Sequence, residues 1–113
     1  MINTPTTFSI YMAGLVFEWL LDLGGLKKIE ELNIKKSNYL YNFIDADDFY
    51  INDIEIKNRS RMNVPFRMVN DDLTKKFVAT AEERGLYALK GHRVVGGLRA
   101  SLYNAMPNTC KKN

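Results

Sequence analysis

The chain has 113 residues, of which 46% are hydrophobic, and 16 Lys and Arg against 13 Asp and Glu leave a net charge of +3. That apolar content excludes a disordered polymer, the length fits one domain, and the interleaving of both charge signs speaks against a nucleic-acid binder built on a basic block. The one cysteine, Cys110, excludes an intrachain disulfide and points to a reducing compartment, the cytoplasm by default.

Residues 8–23 form the most apolar run, broken by Glu18 and Asp22. The run falls short of the ~20 uninterrupted apolar residues of a membrane span. It also lacks the basic lead and small-residue cleavage site of a signal peptide. The pattern predicts a buried helix, apolar on nearly every face and needing cover from several sides, which hints at a partner domain or subunit. Thr4 as cap with Pro5 as first helical residue gives one start, Thr6-Thr7 a second, and Gly24-Gly25 closes the helix.

A second helix is predicted over residues 26–44. Leu26, Ile29, Leu32, Leu40 and Phe43 form its apolar side, and Lys27, Lys28, Glu30, Glu31, Lys35 and Lys36 its wet side. Short extended pieces follow: Phe49-Tyr50-Ile51, then residues 61–68 with Met62, Val64 and Phe66 on one face. Pro65 lacks an amide donor, so that strand is expected at an edge or with a local irregularity. Asp71-Asp72 caps a third helix that buries Leu73, Phe77, Val78 and Ala81 and stops at Gly85. Residues 86–89 and 98–102 read as further strands around the glycine-flanked loop 91–97. The sum is an α+β unit, helices packed on one face of a small, mostly antiparallel sheet.

Three groups carry candidate chemistry. Asn3-Thr4-Pro5 stands at a helix start, where free amides and the positive dipole end favour a phosphate, although such residues also serve as plain caps. Gly91-His92-Arg93 with Arg99 combines two planar guanidinium forks, an imidazole and glycines that let a ligand approach the backbone. Arg59 and Arg61 share one face of a strand and are expected to pair with acids of the second helix or with Asp53. A metal cluster, a Ser-His-Asp arrangement, a P-loop and a dinucleotide fingerprint are all missing from the sequence. Residue chemistry alone ends at an anion-binding α+β unit.

Several motifs resemble one family. They are Asn3-Thr4-Pro5-Thr6, Phe8-Ser9-Ile10-Tyr11, Gly14-Leu15-Val16-Phe17-Glu18-Trp19, Phe49-Tyr50, and Asn58-Arg59-Ser60-Arg61-Met62-Asn63-Val64-Pro65-Phe66. Leu89-Lys90-Gly91-His92-Arg93 and Gly96-Gly97-Leu98-Arg99-Ala100-Ser101-Leu102-Tyr103-Asn104-Ala105-Met106-Pro107 complete the set. In order and collinear over residues 3–107, they resemble the phosphoserine aminotransferases of the class-V pyridoxal-phosphate family. The resemblance implies the C-terminal small domain of a fold-type I transferase that works as a homodimer. The implied reaction converts 3-phosphohydroxypyruvate and glutamate to O-phosphoserine and 2-oxoglutarate, in serine and, in many bacterial members, pyridoxine biosynthesis. It further implies that Asn3 and Thr4 reach the pyridoxal 5'-phosphate phosphate in the neighbouring subunit's site. By the same motifs His92 and Arg93 hold the substrate phosphate, and Arg99 the substrate carboxylate.

The family's Schiff-base lysine belongs to an upstream large domain, and Lys90 is not that lysine. The acid that pairs with the pyridine nitrogen and the aromatic that stacks on the ring also belong upstream. The expectation is therefore that residues 1–113 are a single domain, a C-terminal part without the lysine-bearing domain or the last helix, and inactive alone. The competing readings are a non-catalytic module binding small phosphorylated acids and a truncated product with no independent role.

Overall fold

The computed structural model describes residues 3–107 and falls into two compact units, residues 1–32 and 33–113. Cys110 lies outside the described residues, as do Met1 and Ile2.

The first unit holds α1 (Thr7–Asp22) and the start of α2 (Gly25–Ala46). Of the two expected starts for α1, the second is used: Thr6 is the cap residue, although its side chain makes no capping bond. Gly24 and Gly25, at φ of +106° and +73°, separate the helices, a conformation that costs glycine nothing. The apolar residues of α1 stay accessible among the described residues. None of its residues is buried, and Phe8 and Tyr11 are 74% and 64% exposed. Among the described residues no single helix is long and apolar enough to cross a membrane.

In the second unit an antiparallel sheet runs in the order β1 (Tyr50–Ile51), β2 (Asn63–Met68), β3 (Leu98–Ser101). Tyr50 faces Met68 across the first pair, and Asn63, Val64, Pro65 and Phe66 face Ser101, Ala100, Arg99 and Leu98 across the second. Alternation along β2 sends Val64 and Met68 into the core and Phe66 partly so. The second half of α2 meets this face with Ser37, Tyr41 and Ile44, an i, i+4, i+7 stripe. Tyr41, Ile44, Val64 and Leu102 form the core, with Leu40, Tyr50, Phe66, Ala100 and Met106 against it. α3 (Asp72–Glu83) covers the same face, its Phe77 ring 6.4 Å from Phe66 and 6.0 Å from Tyr50. Helices on one face of an antiparallel sheet is the expected class. Completely burying Val64 and Leu98 contributes about 1.5–3 kcal/mol each.

Several details depart from the sequence reading. β2 begins at Asn63, so Arg59 and Arg61 precede the strand. Of the four residues expected to be buried on α3 only Ala81 is, with Leu73, Phe77 and Val78 half-buried. Lys36, assigned to the wet side of α2, is 97% buried, its relative exposure being 3%. Its Nζ donates to the carbonyls of Tyr103 (2.8 Å) and Asn104 (3.2 Å). Leu26 and Phe43, placed on the apolar side, are 82% and 55% exposed, because the buried stripe turns to Tyr41 and Ile44. Residues 86–89 form no strand: Ala88 takes φ +60°, which interrupts an extended run, and only Lys90 bridges to Leu98. At the start of α3 Asn70 caps instead of Asp71, its Oδ1 accepting the Asp72 N–H at 3.0 Å.

Pro65 lies in the middle strand of the sheet yet has an open side. β1 reaches only Arg67 and Met68, so at Pro65 the chain has β3 alone beside it. The Leu102 N–H donates to Met62 O and the Arg99 N–H turns away to Leu89 O. Pro65 and Arg99 therefore form a non-hydrogen-bonded pair, and the missing proline N–H would point to the open side.

Candidate functional site

The face of the sheet opposite the helices is set by the same alternation. With Leu98 and Ala100 turned to the core, Arg99 projects from the other face, exposed, directly across from Pro65. Immediately before β3 the chain makes a closed loop. The Gly91 N–H donates to Gly97 O (3.0 Å), and the Gly96 N–H donates to His92 O (2.7 Å). The neck is tight enough to demand glycine: a Cβ on Gly91 would sit 2.1 Å from Gly96 O and 2.8 Å from Gly97 O. Gly97, at φ +66°, lies where a Cβ would meet Phe66 O at 2.9 Å. The Lys90–Leu98 bridge ties this neck to the sheet.

His92 and Arg93 thus ride on a loop fastened at both ends to the strand that carries Arg99. Both are exposed. The His92 Nδ1 accepts the Val94 N–H at 3.2 Å. Among the described residues no carboxylate pairs with Arg93 or Arg99.

The contrast with the other arginines is informative. Arg59 is held by Asp45 in a two-pronged pair, NH2 to Oδ1 at 3.0 Å, and its Nε donates to Ile54 O at 3.2 Å. Its guanidinium also stacks 4.7 Å above the Tyr41 ring. Asp53 does take an arginine, but Arg67, at 2.8 and 3.2 Å, and this bond holds its carboxyl below the usual 3.8. A groove of 410 Å³ beside Tyr41, Asp45 and Arg59 also takes in Lys57 and Arg61. Beside it, Arg59 pairs with Asp45 and Lys57 with Glu55. The expected pairing thus holds for Arg59 with the second helix, and Asp53 serves a different arginine.

Asn3 and Thr4 belong to the first unit, in the exposed chain just before α1. The Thr6 hydroxyl makes no capping bond and the first turn of α1 contains no acidic residue. Among the described residues the start of α1 thus has no acidic side chain in its first turn to offset the positive end of the helix dipole. Among the described residues no group of three or more His, Cys, Asp or Glu could hold a metal ion. The closed loop and the Val94 amide escaped sequence reasoning, although the spacing of Gly91, Gly96 and Gly97 was a visible sign of a constrained turn.

The profile of the class-V aminotransferases matches residues 1–109, and the chain belongs to that family. Its similarity is more specific still. It is 61% identical over 107 residues to the phosphoserine aminotransferase of Buchnera aphidicola subsp. Schizaphis graminum (strain Sg), covering 95% of this chain and 30% of that protein. The enzyme of the same name from the Baizongia pistaciae subspecies (strain Bp) is 59% identical, with 95% and 29% covered. Phosphoserine aminotransferase from Bacillus circulans subsp. alkalophilus superposes with a TM-score of 0.90 at 44% identity, over 96% of this chain and 31% of that one. The PLP-bound enzyme from Trichomonas vaginalis gives 0.86 at 43%, over 95% and 31%. The chain therefore spans about three tenths of the length of the curated relatives it matches.

Proposed function

We propose that this chain supplies the substrate-anion contacts of a phosphoserine aminotransferase, which exchanges an amino group between glutamate and 3-phosphohydroxypyruvate. The observation that carries the reading is the pair Arg93 and Arg99 on one fastened loop and its strand, without a carboxylate partner among the described residues, while Arg59 and Arg67 are paired. His92 and Arg93 hold the substrate phosphate, and Arg99 takes the carboxylate through its planar fork. Asn3 and Thr4 hold the cofactor phosphate in a neighbouring subunit's site, within a homodimer. Pyridoxal phosphate, when bound, supplies an electron sink for the substrate carbanion. The lysine that carries it belongs to the part of the family's length this chain does not span, so these 113 residues recognise but do not convert. Residues 1–113 act as one C-terminal part in this scheme, in serine biosynthesis and, by extension, the pyridoxine route. A single thiol supports a reducing, cytoplasmic setting.

Titration of the labelled chain with O-phosphoserine and with serine, followed by NMR, tests the recognition. Shifts at His92, Arg93 and Arg99 with O-phosphoserine alone are expected; no shift, or equal shifts with serine, would contradict it. Incubation with pyridoxal phosphate, glutamate and 3-phosphohydroxypyruvate should yield no product above background, and turnover would overturn the division of labour.

A further inference from the structure

We infer that the main-chain amide of Val94 fixes His92 as a donor through Nε2, so that a phosphoryl ligand meets an N–H at that atom. The Val94 N–H donates to His92 Nδ1 across 3.2 Å. A ring nitrogen that accepts an N–H holds no proton of its own, and the neutral imidazole carries its single proton on the other nitrogen. Nδ1 is thereby used up within the loop. Nε2, at the outer end of an exposed ring, is the only ring atom left to serve a ligand.

An oxyanion needs a donor at that point, and the tautomer supplies one without any further group. The device is built into the backbone. Val94 presents its amide from a loop whose neck is closed by Gly91 and whose next turn is closed by the Gly96 N–H to His92 O bond. The Val94 side chain is 87% exposed and takes no part, so Val94 is a positioning residue through its main chain alone.

The identity of the ligand rests on the function proposed above; the tautomer does not. The chain contains one histidine, so nitrogen-15 labelling of that residue type reports His92 alone. The ring proton is expected on Nε2, together with a scalar coupling across the hydrogen bond between Val94 N and His92 Nδ1. A proton on Nδ1, or no coupling, would overturn the inference.

A pair of substitutions reads the consequence. In His92→Gln the side-chain amide falls near the position of Nε2, whereas in His92→Asn it falls near Nδ1. O-phosphoserine should bind His92→Gln within about threefold of the parent and His92→Asn about tenfold or more weaker, the loss of one hydrogen bond to a charged group. Equal losses in both would count against Nε2 as the contact atom. If the parent chain binds no O-phosphoserine but shows the coupling, the proposed function fails and the tautomer stands. If it binds without the coupling, the tautomer fails alone.

Discussion

Substituting Gly91→Ala should open the loop that carries His92 and Arg93 while leaving the core intact. The added Cβ would lie 2.1 Å from Gly96 O and 2.8 Å from Gly97 O, both backbone atoms that yield only if the neck widens. Widening breaks two hydrogen bonds, Gly91 N–H to Gly97 O and Gly96 N–H to His92 O. At a net value of roughly 1 kcal/mol each, the loop loses about 2 kcal/mol, or about 30-fold in its closing equilibrium. Amide hydrogen exchange at Gly96 reads this directly, because local opening and not global unfolding governs an exposed loop. Tyr41, Ile44, Val64 and Leu102 are untouched by the substitution, so the urea midpoint should move far less than the loop exchange does. Gly14→Ala is the control: nothing lies within 4 Å of its Cβ position, and helix propensity favours alanine there by about 0.5–1 kcal/mol. Unchanged Gly96 exchange in Gly91→Ala would refute the reasoning, as would an equal effect in the control.

Leu98, at 1% exposure, sits between Phe66 and the Lys90 bridge, so Leu98→Ala should lower unfolding free energy by about 2–5 kcal/mol in a denaturant titration. Burial holds the Tyr41 phenol above 10.0, with Arg59 pulling it down and Asp45 adding to the rise. A raised phenol contributes stability that is complete below pH 10.0 and is lost as pH rises through the folded value. Tyr41→Phe should therefore flatten the alkaline limb of the stability profile. It should also cost about 1 kcal/mol at neutral pH by removing the phenol's bond to Ser60 O. Asp53 titrates below 3.8 because of its hydrogen bonds with Arg67, so its contribution is present above pH 3.8 and fades as pH falls through the folded value. Arg67→Ala should return the Asp53 carboxyl toward 3.8 in a carbon-13 titration.

The elements legible from sequence were those set by local pattern. A near-continuous apolar run placed α1, periodicity placed α2 and α3, alternation placed Val64 and Phe66, and the glycines after Leu23 and Arg84 marked two helix ends. What escaped depends on partners far along the chain. Lys36 is buried with its Nζ on carbonyls 67 and 68 residues away. The open side of Pro65 follows from how far β1 extends, which no pattern within residues 61–68 records. Residue type and family resemblance singled out His92, Arg93 and Arg99. Their fastening to the sheet follows from the Gly91 neck, a matter of backbone contact invisible in residue chemistry. Asn3 and Thr4 were likewise singled out by type at a helix start.

A chimera tests the central claim most directly. This chain would replace the matching 107 residues of the 61% identical phosphoserine aminotransferase, and transamination of 3-phosphohydroxypyruvate by glutamate would be measured. The account predicts an active chimera, and Arg93→Ala within it should raise KM for the phosphorylated substrate by about tenfold or more, as loss of a charged hydrogen bond requires. A folded chimera that binds pyridoxal phosphate yet is inactive, or one whose KM ignores Arg93→Ala, would contradict it.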